Sequence, residues 1–153
     1  MNSGGLLKHV VLAFVIAVIL YAVFFYGIEH RRMVNGPWRV TFTNDTAGVP
    51  ELIVTQPKLK ISNLKLDFPN NKLPPTNSNS LMMFDTPKEV PFPVPFGQCI
   101  FMDTTFLPGT ITFNLFGYEI ELLPRVLIID KKEYPWQSNT NITLIRARIA
   151  LDQ

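Results

Sequence analysis

His9 and His30 are the only histidines in the chain, and imidazole is the group that enzymes use most often as a general base. Both flank a long apolar stretch near the N-terminus, so no histidine lies after residue 30. This distribution excludes Ser–His and Cys–His nucleophile pairs from residues 31–153, together with zinc or copper sites built on imidazole. His9 and His30 themselves are candidate axial ligands for a haem or another pigment, although a hydrated histidine near the lipid headgroups is the more common arrangement.

Cys99 is the only cysteine, so the chain cannot form an intramolecular disulfide. It begins the apolar sequence Cys99-Ile100-Phe101-Met102, which has no lysine, arginine or histidine beside it. A reactive thiol needs an electropositive setting that lowers its pKa. The sequence therefore predicts a small, buried hydrophobic side chain at this position.

The carboxylates offer the remaining acid–base chemistry. Glu119 and Glu121 alternate along one predicted strand, which places them on the same face about 7 Å apart. Together with Asp103 and Asp130 they are the candidates for a hydrolase that uses carboxylates alone. Alternating glutamates on a hairpin more often form its solvated face. We therefore predict no catalytic residue, no metal site and no enzymatic activity.

A long apolar stretch dominates the N-terminal region. Residues 10–28 are almost wholly apolar, and nineteen residues form a helix about 30 Å long, which matches the hydrocarbon thickness of a bilayer. We predict a membrane anchor over residues 1–32, with one transmembrane helix over about 9–28. No small-residue cleavage site follows it, which argues against a cleaved signal peptide.

Ala13 and Ala17, one turn apart, would let a partner helix approach closely.

The charge distribution separates this anchor from the rest of the chain. The formal net charge is +2, yet residues 33–153 contain eleven basic and eleven acidic side chains. This balance argues against a nucleic acid as partner, because such a surface needs clustered positive charge. The short N-terminal segment with its single Lys8 is typical of an uncleaved signal anchor. On that basis we predict a single-pass protein of a bacterial inner membrane with a periplasmic domain, although Arg31 and Arg32 favour the opposite orientation.

The apolar periodicity changes from helical to alternating at Trp38, and residues 33–153 are predicted to form one β domain. About eight short strands are indicated, with no further helix. A bulge is expected at Ser62-Asn63, where the alternation changes phase. The clearest feature is a hairpin over residues 110–122 with its turn at Phe116-Gly117. Further strands are expected at 38–43, 52–55, 59–68, 98–102, 126–129 and 141–151, a turn at 130–133 and a flexible loop at 69–80.

This pattern indicates a mainly β fold. A small β-sandwich of two packed sheets is the first choice, and a partly open β-barrel is the second.

The segment from Pro91 to Phe96 alternates prolines with apolar residues. Three prolines cannot donate to a β ladder, so this segment is predicted to lie at the edge of a sheet or outside one. In an extended conformation Phe92, Val94 and Phe96 would project on one side. These side chains are either cover for the core at the sheet edge or a docking strip for another subunit.

A membrane helix followed by a β-sandwich resembles the layout of subunit II of some haem-copper oxidases. The copper site of that subunit needs two cysteines, two histidines and a methionine at set spacings. The sequence here offers Cys99 and Met102 with no other such ligand around them, so the resemblance does not extend to copper. We predict a non-catalytic accessory subunit of a larger membrane complex, without a cofactor, whose partners are other membrane-protein subunits and the bilayer. The layout favours an energy-transducing assembly, respiratory or photosynthetic. The alternative is a membrane-tethered module that binds a small ligand, lipid or carbohydrate.

Overall fold

The structure, a computed structural model, describes residues 3–72 and 79–145. The chain divides into two units, Met1–Asn35 and Gly36–Gln153. In the described residues, the first unit is a single helix and the second contains eleven strands in two sheets. The protein is therefore mainly β with one N-terminal helix.

The helix, α1, spans Ser3–Asn35. Its most apolar part, Gly5–Arg31, is 27 residues long, and none of its apolar window is buried. At 1.5 Å per residue this part measures about 40 Å, so it is long and apolar enough to cross a bilayer. The helix extends past the predicted residues 9–28 at both ends, because the polar residues on either side continue the same backbone hydrogen bonding.

The first sheet has five strands in the order β11-β3-β2-β1-β4. All neighbours are antiparallel except β11, which lies parallel to β3. The expected irregularity at Ser62-Asn63 is confirmed: Gln56 pairs with Ile61 and Val54 with Leu64, so the two strands lose register between these pairs. The strands are β1 Trp38–Asn44, β2 Pro50–Gln56, β3 Ile61–Asp67, β4 Ser80–Phe84 and β11 Asn141–Thr143.

The second sheet has six strands in the order β10-β9-β8-β7-β6-β5, each antiparallel to the next along the chain. The predicted hairpin is confirmed as β7 and β8, and Phe116 and Gly117 in its turn both have positive φ angles, as a tight type I′ turn requires. Part of the proline-rich segment forms the edge strand β5, which is one of the two predicted positions. The strands are β5 Phe92–Val94, β6 Gly97–Asp103, β7 Thr110–Leu115, β8 Tyr118–Leu122, β9 Leu127–Ile129 and β10 Lys132–Tyr134.

Aromatic rings from both sheets contact one another in a shared core. Phe42 of β1 and Phe84 of β4 both contact Phe113 of β7, with ring centroids 6.2 and 5.4 Å from that of Phe113. Trp38 of β1 is fully buried and packs on Trp136, which follows β10, at 5.1 Å. Buried residues alternate with more exposed ones along β1, β2 and β8, as the period-2 pattern requires.

Three strand predictions differ from the structure. Eleven strands are present in the described residues, more than the predicted eight. Ser80–Phe84 and Lys132–Tyr134 were not predicted as strands, and Phe92–Val94 was predicted to lie either at a sheet edge or outside a sheet. Only Asp130 and Lys131 form the predicted turn, and both have positive φ angles that leave Lys132 free to pair with Ile129. The predicted final strand ends at Thr143. Residues 146–151 of the predicted strand lie outside the described residues, as does most of the loop expected at 69–80.

Candidate functional site

Cys99 lies on β6 of the second sheet, and its side chain is fully buried, as the sequence predicts. Burial raises the pKa of its thiol to about 11, and this effect outweighs the hydrogen bond with Phe101 and the nearby charge of Lys88, which both act in the opposite direction. The Sγ atom donates to the Phe101 carbonyl oxygen at 3.4 Å. The thiol is therefore protonated at neutral pH and is not poised as a nucleophile.

A maleimide reagent at neutral pH is expected to leave Cys99 unmodified in the folded protein and to label it fully in urea. The folded thiol is both inaccessible and protonated at this pH. Because its pKa is raised, the protonated thiol also stabilises the folded state below pH 9.0, and this contribution is lost as the pH rises through about 11. Mass spectrometry of the labelled chain measures this difference. A Thr46→Cys variant, which adds an exposed thiol, is the control for reagent access. Rapid labelling of Cys99 in the folded wild type would contradict the burial.

The four candidate carboxylates lie on β8, in the turn after β9 and at the end of β6. Glu119 and Glu121 lie on the outward face of β8, as the alternation predicts. An oxygen of Asp130 accepts a hydrogen bond from the Glu119 amide at 2.9 Å. Asp103 is the last residue of β6, where it pairs with Thr110 of β7. The structure therefore brings Asp130 next to β8, whereas Asp103 lies on the far side of β7 from that strand.

Asp103 instead organises a loop. Its carboxylate accepts a hydrogen bond from the Thr105 amide at 3.0 Å, and hydrogen bonds with Thr105 lower its pKa below the ordinary 3.8. Because the pKa is lowered, the ionised Asp103 carboxylate stabilises the folded state at pH values above 3.8. This stabilisation is lost as the pH falls through the pKa that Asp103 has in the folded state. Asp103 therefore acts as a turn residue at neutral pH.

His9 and His30 are 21 residues apart on α1, which separates them by about 31 Å along the helix axis. The ring of His30 stacks on that of Tyr26, with centroids 6.1 Å apart. In the part of the chain that the structure describes, no three histidine, cysteine or acidic side chains come together as a metal site would require. Ligation of a haem or pigment by either histidine stays a prediction.

The predicted docking strip, which runs from β5 into the turn before β6, mostly faces inward. Val94 is buried, and the half-buried Phe96 contacts the rings of Phe42 and Phe116, each at 5.4 Å. Phe92 is half-buried, with the Lys88 ammonium group 5.3 Å from its ring centre. This placement accounts for the three apolar side chains as cover for the core, and their docking to a partner remains a prediction.

A different apolar strip is exposed on β4, at the edge of the first sheet. Leu81 is 60% exposed and Met83 is 43% exposed, and both lie on the outward face. Their neighbours across the ladder are Thr41 and Arg39 of β1. We call Leu81 and Met83 the β4 strip. Sequence reasoning missed it, since the segment lacks the polar alternation that marks a half-buried strand, and its only signal was apolar residues beside a polar loop.

The start of the β unit is fixed by a buried glutamine. Gln56 is fully buried, and its Nε2 donates to the carbonyl oxygens of Gly36 and Pro37 at 2.8 and 3.1 Å. Its Oε1 accepts from the Lys58 amide at 2.9 Å. A buried amide with three hydrogen bonds holds the first residues of the unit against the turn that follows β2.

Four parts of the β unit meet around Trp38. The indole of Trp38 donates to the carbonyl oxygen of Gly109 at 3.0 Å, just before β7. The adjoining Trp136 donates in the same way to Leu123, at the end of β8, at 2.8 Å. We call this region the Trp38 end; it comprises residues 36–38, the turns 57–60 and 123–126, and the loop 104–109.

The loop at the Trp38 end presents one apolar side chain to solvent. Phe106 is 84% exposed, whereas Thr104 and Pro108 of the same loop are buried. Gly109 closes the loop with a φ of +74°, and a Cβ there would lie 2.2 Å from the Asp103 carbonyl oxygen, so only glycine fits. Sequence reasoning did not single out Phe106, because one phenylalanine in a loop carries no periodic signal.

A shallow polar depression of about 400 Å³ lies beside β3 and β11. Its lining is made of amide, hydroxyl and ammonium side chains, namely Asn63, Lys65, Asn139, Thr140 and Asn141. Such groups suit hydroxyl-rich ligands better than lipids.

No protein-family description, curated protein or solved structure matches this chain, so its function is argued from its own geometry.

Proposed function

We propose that this protein is a non-catalytic, single-pass accessory subunit of a larger membrane complex. In this proposal α1 crosses the bilayer, and the two sheets form a β-sandwich on the periplasmic side of a bacterial inner membrane. Other membrane subunits bind the helix and the exposed strip of the domain. An energy-transducing assembly is the class of complex that this layout resembles.

The observation that carries the proposal is the surface of α1. Its window of apolar side chains is wholly exposed, and no polar stripe divides them. An apolar surface of this length is unfavourable in water and is satisfied by lipid or by other apolar helices. The helix ends also carry aromatic and charged residues, such as Tyr26, Arg31 and Lys8, which suit the interfacial layers of a membrane.

The β4 strip supports a protein partner for the domain. Leu81 and Met83 lie on an edge strand, which leaves one side of its backbone without a ladder partner among the described strands. Exposed edges with apolar side chains are surfaces that other chains can extend or cover. The strip lies in the β unit itself, so a partner there would bind in addition to any partner of α1.

Extraction of native membranes in a mild detergent, followed by crosslinking and mass spectrometry, tests the proposal directly. We expect this chain to be recovered in a larger complex with other membrane proteins. Recovery as a lone monomer, with no crosslinked companion, would contradict the subunit role.

The paired replacement Ala13→Leu with Ala17→Leu is expected to reduce crosslinking through α1 by about tenfold. Each added side chain would separate the backbones of two helices that pack closely on small residues, and a loss of about 1.4 kcal/mol corresponds to this factor. Quantitative crosslinking of detergent extracts measures the change. The control is Val11→Leu with Val15→Leu, which enlarges the opposite face of the helix. Equal effects of the two pairs would argue against a small-residue interface.

The alternative function, a membrane-tethered binding module, is favoured by the polar depression beside β3. Its amide and ammonium groups would bind a carbohydrate or another hydroxyl-rich ligand. Titration with a panel of mono- and disaccharides, followed by NMR of the asparagine side-chain amides, tests it. Saturable shifts at Asn63 and Asn141 would support this function, and their absence would leave the subunit role as the better proposal.

A further inference from the structure

Phe106 is held in the solvent by a loop that is well fixed at both ends. At its start, the Asp103 carboxylate accepts from the Thr105 amide at 3.0 Å. At its end, the Gly109 carbonyl oxygen accepts from the buried Trp38 indole at 3.0 Å. Thr104 is buried between them. The loop therefore has little freedom to turn Phe106 inward, and the ring stays exposed to a binding partner outside the domain.

The position of this loop in the chain indicates the kind of partner that the Phe106 ring contacts. Through Trp38 the loop contacts the first strand of the β unit, two residues after Gly36. Gly36 and Pro37 are buried and bonded to Gln56, so this segment belongs to the domain. Seven peptide steps join Arg31, the last residue of the apolar part of α1, to Trp38 and cover at most about 25 Å. Because the chain is continuous, Trp38 can lie no farther than this from the end of the apolar part of α1.

The charges at the Trp38 end suit a lipid surface without demanding a particular headgroup. Lys58 and Lys60 in the turn after β2 and Arg125 in the turn after β8 are exposed basic groups at the Trp38 end. Asp103 lies at the base of the loop itself and offsets part of this charge. A mixed set of this kind predicts contact with zwitterionic lipid and only a weak dependence on anionic lipid.

We propose that Phe106 inserts into the interfacial layer of the lipid bilayer in which the chain is anchored. The inference rests on the proposed membrane anchoring and adds a second, peripheral lipid contact to it. One aromatic ring is too little to hold a free protein on a membrane. It suffices here because the tether makes the contact intramolecular, as in any two-point attachment.

Site-directed labelling with an environment-sensitive fluorophore such as NBD tests the contact. Phe106→Cys, Thr46→Cys and Val18→Cys are each placed in the full chain, labelled under native conditions and reconstituted in phosphatidylcholine vesicles. Val18 lies in the apolar part of α1, and Thr46 lies in the exposed loop between β1 and β2, at the opposite end of β1 from Trp38. We expect blue-shifted emission at positions 18 and 106 and aqueous emission at 46. The wild-type chain gives the background from Cys99.

A second measurement tests the ring itself. A label at Thr105→Cys is compared with and without the additional Phe106→Ser change, and the blue shift is expected to be lost in the double variant. A urea titration checks that this variant still folds. Vesicles with added phosphatidylglycerol are expected to give the same shift at 106; a shift seen only in these vesicles would overturn insertion through the ring.

The outcomes separate the two proposals. Lipid-like emission at 18 with aqueous emission at 106 would overturn the insertion of Phe106 and leave the anchor intact. Aqueous emission at 18 would overturn the anchor and this inference together. Lipid-like emission at 46 as well as 106 would also overturn the inference, because contact would then not be specific to the Trp38 end.

Discussion

Replacing Phe113 by alanine is expected to lower the free energy of unfolding of the β domain by about 3–5 kcal/mol. Phe113 is fully buried at the centre of β7, and its ring contacts Phe42 and Phe84 of the other sheet at 6.2 and 5.4 Å. Truncation removes apolar area from the core and leaves a cavity that surrounding strands cannot fill without losing register. Since small domains have only about 5–15 kcal/mol of stability, the variant would be close to unfolding.

Urea titration of the full chain in detergent measures this loss, with the fluorescence of Trp38 and Trp136 as the signal. These are the only two tryptophans of the chain, and both lie in the β unit, so the signal follows the domain alone. Phe106→Ala is the matched control. It deletes the same side chain at a position that is 84% exposed, and we expect a change within about 0.5 kcal/mol. Equal losses in the two variants would show that Phe113 is not a core residue.

The double replacement Ile16→Asp with Ile19→Asp is expected to transfer the protein from the membrane fraction to the soluble or aggregated fraction. Both residues are near the middle of Gly5–Arg31 and are exposed. A carboxylate at the centre of a membrane helix costs about 2.5–3.5 kcal/mol, so two cost about 5–7 kcal/mol. The same change would have little effect on a helix that is exposed to water.

Carbonate extraction of membranes followed by flotation measures the distribution. Ile16→Leu with Ile19→Leu is the control, because it keeps the apolar surface and changes only its shape. Should the aspartate variant stay in the floated membrane fraction as the wild type does, α1 would not be a transmembrane segment. A wild-type protein that carbonate extracts would lead to the same conclusion.

Strands that alternate apolar and polar residues were predictable because each side chain could be assigned to a face. In β1 the buried positions are those the alternation predicts, and in β7 and β8 the hairpin follows from alternation on both sides of Phe116-Gly117. The bulge at Ser62-Asn63 was predictable for the same reason. A change of phase must be absorbed by an extra residue if both halves are to face the core.

Other strands were not predictable because their partners define them. The β4 segment SLMMF has no polar alternation, and it becomes a strand by pairing with β1. The segment Lys132–Tyr134 is too short and polar to be recognised before Asp130 and Lys131 turn it onto β9. Long-range pairing also decides which loops come together. The loop that carries Phe106 is joined to the first strand of the β unit by the hydrogen bond between Trp38 and Gly109, which are 71 positions apart.

The sequence was more informative about chemistry than about surfaces. The absence of histidine beyond residue 30 and the apolar setting of Cys99 could be read from residue types alone, and the burial of Cys99 is confirmed. The β4 strip and the polar depression depend on exposure and on side chains from distant segments. Exposure and the proximity of distant side chains are both defined only after the sheets have formed.

The parallel pairing of β11 with β3 determines when the first sheet can be finished during translation. The Lys65 amide donates to Thr140 at 2.9 Å and the Leu144 amide to Asp67 at 2.8 Å, while Asn139 donates back to Ser62 at 2.8 Å. Until residues 139–144 have left the ribosome, β3 has an open backbone edge, although β1 and β2 have long been available. The growing chain must therefore keep this edge from joining neighbouring chains until β11, the last strand in the described residues, closes it.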